Sequence, residues 1–149
     1  MSIRFLICWI IAGVFFLGCA TTGAKKISEP VTQPSVQSME EEWGIRVKSL
    51  RLTAGGNLLD FRYQVTDPEK ASSLFTQKTN KPYLVDLATG ARLSIPFLPK
   101  IGAMRTSTKN LVVGKDYFMM FANPGMFLKR GSKVTAVIGD CKAENLTVE

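Results

Sequence analysis

The chain has 149 residues, 46% of them apolar, and 19 Lys+Arg against 12 Asp+Glu give a formal net charge of +7. That is a length for one domain, and a body of ~100 residues can bury a core without staples. The sequence has no histidine, which removes Ser–His and Cys–His nucleophilic pairs and the usual zinc and blue-copper ligand sets. Its basic residues are scattered, with Lys25-Lys26 and Lys129-Arg130 the adjacent pairs, so the basic stripe of a nucleic-acid binder is missing and no nucleic-acid partner is expected.

The chain opens with Met1-Ser2-Ile3-Arg4, then runs apolar from Phe5 to Leu17 with Gly13 as the one break. A positive start, a short apolar stretch and small residues after it have the layout of an export signal. The run is short for a transmembrane helix, which needs ~20 apolar residues. It ends Phe16-Leu17-Gly18-Cys19-Ala20. This resembles the lipobox of bacterial lipoprotein signals, with Phe16 where leucine is usual. The resemblance implies that residues 1–18 are a signal peptide cut after Gly18. It also implies that the Cys19 thiol carries a diacylglycerol, and that Ala20, not being aspartate, directs the protein to the outer membrane. Cleavage after Ala20 with release, or anchoring in the inner membrane, are the alternatives. Several acyl chains on one residue make a strong membrane anchor, since each buried methylene contributes ~0.8 kcal/mol.

Residues 19–42 read as a lipidated flexible tether. They are rich in Thr, Ser and Gln, Pro30 and Pro34 block regular structure, and Glu40-Glu41-Glu42 closes the stretch. A folded body is expected from Trp43 to Glu149. Ile45 and Val47 alternate with charged residues, and Leu50 and Leu52 follow in the opposite phase, which predicts a strand with a bulge near Ser49. Ala54-Gly55-Gly56-Asn57 is a turn. Leu59, Phe61, Tyr63 and Val65 alternate with polar residues as a half-buried strand. Asp67-Pro68 starts a short helix, with a capping side chain and proline at the first helical position. Thr79-Asn80-Lys81-Pro82 ends it.

Tyr83–Leu87 and Arg92–Phe97 flank a hairpin turn at Ala88-Thr89-Gly90-Ala91, with Leu93, Ile95 and Phe97 on one face. Leu98–Lys109 reads as a long basic loop and Leu111–Val113 as a brief pairing segment. Tyr117–Ala122 is a continuous apolar run, which predicts a central strand buried on both faces. Val134–Ile138 and Asn145–Val148 are the last strands. Seven or eight short strands with one short helical turn predict an all-β fold, an antiparallel immunoglobulin-like β-sandwich, with a small β-barrel as the alternative.

Few residues offer chemistry. Of three cysteines, Cys8 leaves with the signal and Cys19 is lipidated. Cys141 then stays unpaired, expected as a buried strand residue or as the donor of an intermolecular disulfide. Asp60, Asp67, Asp86, Asp116 and Asp140 are the carboxylates from which a small hydrolase would draw a pair, yet each sits where aspartate caps or solvates. Met104, Met119, Met120 and Met126 invite a copper(I) reading. Adjacent strand residues point to opposite faces, however, so Met119 and Met120 are expected as core filler. Trp43, Tyr63, Tyr83 and Tyr117 are possible glycan platforms whose phase favours packing. No metal, cofactor or catalytic residue is expected.

Trp43-Gly44-Ile45, Leu59-Asp60-Phe61-Arg62-Tyr63, Lys81-Pro82-Tyr83-Leu84, Tyr117-Phe118-Met119 and Val137-Ile138-Gly139-Asp140 resemble a bacterial family of small exported proteins. That resemblance implies export and brings no activity with it. The expectation is a lipid-anchored, non-enzymatic envelope protein facing the periplasm. It meets a protein partner through a sheet edge or the Leu98–Lys109 loop, or else anionic polymers such as peptidoglycan or lipopolysaccharide.

Overall fold

The computed structural model describes residues 36–76 and 81–149. The signal, Cys8, the lipobox with Cys19, the tether up to residue 35 and the expected helix stop at Thr79-Asn80 lie outside the described residues.

The chain enters through helix α1 (Val36–Trp43). Strand β1 (Ile45–Thr53) and strand β2 (Leu58–Val65) follow, joined by a short 3-10 turn. Next come helix α2 (Pro68–Thr76), β3 (Tyr83–Asp86), β4 (Arg92–Ser94) and two two-residue strands, β5 (Phe97–Leu98) and β6 (Gly102–Ala103). The body closes with β7 (Asp116–Ala122), β8 (Lys133–Ile138) and β9 (Cys141–Thr147). β1-β2-β7 form one sheet and β4-β3-β8-β9 the other, and every pairing is antiparallel. The chain passes from sheet to sheet after β2, β4 and β7. The result is the all-β, immunoglobulin-like sandwich that the strand count predicts. Hydrogen bonds from the Leu52 N–H to the Glu149 carbonyl (3.1 Å) and from the Glu149 N–H to Leu50 (2.8 Å) link the C-terminus to the β1 edge.

Local patterns carry much of this. In β2, Leu59, Phe61, Tyr63 and Val65 are all fully buried, as alternation requires. In β1, Val47 faces Tyr63 while Ser49 faces Arg62. Lys48 is therefore the extra residue of a bulge, and the bulge turns Leu50 into the core with Ile45. Asp67 caps α2: its Oδ1 accepts the N–H groups of Glu69 (3.0 Å) and Lys70 (3.2 Å). The β3–β4 turn is tied by Asp86, whose Oδ2 accepts the Thr89 N–H (3.0 Å) and hydroxyl (2.6 Å).

Between the sheets, the Tyr63 ring lies 5.6 Å from Tyr117, 5.9 Å from Phe61 and 5.9 Å from Phe75 of α2. Fully burying one such ring contributes ~2–3 kcal/mol, and centroid separations in this range add to it.

Several expectations are corrected. Residues 36–42 are helical rather than tether: α1 tucks Met39 into the core, and Arg46 of β1 holds Glu40 through a two-point ion pair at 2.8 and 2.5 Å. Helix content is accordingly higher than one helical turn. β7 is an edge strand, with β2 at the centre of its sheet. Tyr117, Met119 and Phe121 are buried, while Phe118 and Met120 are half-buried on the outer face. An unbroken apolar run has no phase, so it cannot report whether a strand is central.

The fourth strand stops at Ser94, because proline at 96 has no N–H to continue the ladder. Phe97 leaves the expected face and is exposed. The basic loop contains the β5–β6 hairpin. It then runs along β7, where the Met120 N–H donates to the Met104 carbonyl (2.9 Å) and the Thr106 N–H to the Phe118 carbonyl (3.0 Å). Leu111–Val113 is not a strand; there the Val112 N–H donates to the Tyr117 hydroxyl at 2.9 Å. Among the described residues no helix is long and apolar enough to cross a membrane.

Candidate functional site

The residues singled out for chemistry are dispersed. Asp67 and Asp86 are occupied as cap and turn residues. Asp60 accepts from the Arg62 guanidinium at 2.9 Å. Asp116 opens β7 and is exposed, as is Asp140 in the β8–β9 turn. Among the described residues no three acidic or cysteine side chains gather as a metal site. Met119 is core, Met120 and Met104 are half-buried and Met126 is exposed. Tyr63 and Tyr117 are buried in the ring stack and Trp43 packs against the core. Tyr83 is half-buried under the Arg92 guanidinium, 4.5 Å from its ring centre.

Cys141 is buried, as its strand position implies, and burial followed by the nearby Glu42 charge pushes its thiol up to about 12. A thiol that stays protonated is a poor nucleophile. The Tyr63 hydroxyl is buried without a hydrogen-bond partner, and burial raises its pKa.

Two surface features remain. The first is a shallow groove of about 510 Å³ on the outer face of the β1-β2-β7 sheet. Its lining includes Lys48, Arg51 and Arg62 with Asp60 and Asp116. The β1–β2 register sets Arg51 beside Asp60 and Ser49 beside Arg62, and the bulge adds Lys48 to the same rim.

The second is the stretch between Asp86 and Asp116. It has no acidic residue and five basic ones, Arg92, Lys100, Arg105, Lys109 and Lys115. No ion pair among the described residues neutralises any of the five. The same stretch holds Leu87, Phe97, Leu98, Ile101, Val112 and Val113, six of the eight large apolar side chains exposed among the described residues.

Its most prominent part is the β5–β6 hairpin, where Phe97 is 72% and Ile101 77% exposed. The turn is built for display. Pro99 presets the bend, the Ile101 N–H donates to the Leu98 carbonyl at 3.1 Å, and Gly102 takes a left-handed φ of +87°. The Met104 N–H to the Pro96 carbonyl (3.1 Å) fastens its base. The basic loop is legible in the sequence but the exposed apolar tips are not, since Phe97 in a strand pattern reads as core. The Pro99-Lys100-Ile101-Gly102 turn was the available sign.

No family model matches the chain, and no curated protein or solved structure does.

Proposed function

We propose that the chain is a lipid-anchored, non-enzymatic cell-envelope protein, held at the outer membrane through Cys19 and facing the periplasm, that works by contact with an envelope partner. The observation that carries the contact reading is the concentration of exposed apolar side chains on one acid-free basic stretch. Soluble surfaces seldom gather such groups without a partner. The lipobox around Cys19 supports the location. The absence of histidine, the dispersal of the carboxylates and the raised pKa of Cys141 support a role without covalent chemistry.

The test is metabolic labelling with an alkyne palmitate analogue in a bacterial host. The wild-type chain takes up label and fractionates with membranes, and Cys19→Ser takes up none and leaves the membrane fraction. Label retained in Cys19→Ser refutes the anchor.

A second reading, binding of anionic envelope polymer, is favoured by the Lys48–Arg51–Arg62 groove. Such binding is screened by salt, and a pull-down on peptidoglycan or lipopolysaccharide that ignores ionic strength removes it.

A further inference from the structure

We infer that the β5–β6 hairpin is a second membrane contact: Phe97, Leu98 and Ile101 enter the headgroup layer of an anionic bilayer while the exposed Lys100 and Lys109 meet its phosphates. The inference rests on the proposed lipid anchor and names the partner of the contact surface.

Three observations lead to a lipid surface. The hairpin projects its apolar groups rather than folding them back: Phe97 and Ile101 are the most exposed large apolar residues described. The closed turn and the Met104–Pro96 hydrogen bond hold them there. Apolar tips set among lysines are the chemistry of interfacial binding, in which shallow insertion and attraction to anionic lipid act together.

The charge is of one sign. With no acidic residue from 87 to 115, nothing along the stretch repels a negatively charged membrane. Each basic residue held at such a surface strengthens partitioning about fivefold.

The hairpin is also ill-suited to strand addition. Its strands are two residues each, and the neighbouring β7 edge is already taken by Met104 and Thr106. A partner that recognises extended backbone has little to pair with.

The experiment uses the full, lipidated chain carrying Ile101→Cys, labelled with a polarity-sensitive fluorophore and reconstituted on vesicles. Cys141 is buried and escapes the label. One set of vesicles is phosphatidylcholine and the other contains phosphatidylglycerol.

The label is expected to shift to the blue and to be shielded from acrylamide on the anionic vesicles, and to stay in water on the neutral ones. Phe97→Asp, or Lys100→Glu with Lys109→Glu, should lower the ratio of docked to undocked chains by about twenty-five-fold or more. All three positions are exposed, so the fold is not at stake.

Flotation of the vesicles reports the anchor separately. A chain that floats with its label in water on both vesicles overturns the hairpin contact alone, and a chain that neither floats nor shifts overturns both readings. An equal shift on both vesicles removes the role of the basic residues and overturns the proposal. So does a shift that needs added envelope protein, which would assign the hairpin to a protein partner.

Discussion

Asn123 sits between β7 and the following turn, is fully buried, and ties together two connections far apart in sequence. Its Nδ2 donates to the carbonyls of Gly56 (2.8 Å) and Leu128 (3.0 Å), and its Oδ1 accepts the Leu128 N–H at 3.1 Å. Asn123→Ala removes three hydrogen bonds at once and strands the Leu128 N–H and carbonyl in a buried position. At ~1 kcal/mol for each bond, with the penalty for buried groups left unpaired, the loss is about 3 kcal/mol. For a body of this size that lowers Tm by about 12 °C, or the urea midpoint by roughly 2 M at an unchanged slope. Circular dichroism melts and urea titrations of the two proteins side by side measure it. Asn123→Asp separates the parts, since it keeps an acceptor for Leu128 but turns a carboxylate toward two carbonyls, and it should be at least as damaging. A loss below about 1 kcal/mol for the alanine variant would refute the view that this side chain pins the β1–β2 turn to the β7–β8 connection.

Two glycines with the same φ of +63° separate strain from collision. A Cβ on Gly44 would stand 2.4 Å from the Asp67 carbonyl oxygen, whereas Gly55 has nothing within 4 Å. Gly44→Ala should cost ~3 kcal/mol or more and Gly55→Ala only ~1 kcal/mol in the same melts; equal losses would discard the collision argument. Cys141 gives a pH and reactivity prediction. Its folded pKa, about 12, lies above the ordinary value of 9.0, so the unfolded thiol ionises first. Its contribution to stability is full below pH 9 and is lost as the pH rises toward 12. At pH 8 a chromogenic disulfide reagent should leave the native thiol untouched and modify it promptly in denaturant. Rapid native modification would contradict the burial.

What could be read from the sequence was what neighbouring residues decide. The alternation of β2, the phase slip near Ser49, the Asp67-Pro68 helix start and the hairpin turn at Ala88-Thr89-Gly90-Ala91 each depend on a few adjacent side chains, and each is legible. α1 was not, because two prolines and a polar composition precede it. Its one sign was the four-residue spacing of Met39 and Trp43, which puts both on one helical face. The place of β7 in its sheet depends on which segment lies beside it, and no pattern within Tyr117–Ala122 carries that information. The candidate site was half legible: the basic residues of the Leu98–Lys109 loop were visible, while the exposure of Phe97 and Ile101 depends on the chain leaving the sheet after Ser94.

The run of Met104–Thr106 along β7 has a consequence for chains that crowd together. An open strand edge is a template for pairing with another copy. Here the outward N–H groups of Phe118 and Met120 are spent on the Thr106 hydroxyl and the Met104 carbonyl, and the Phe118 carbonyl on the Thr106 N–H. The middle of the most apolar edge strand is thus covered by its own polypeptide, which takes up the groups a second copy would pair with there.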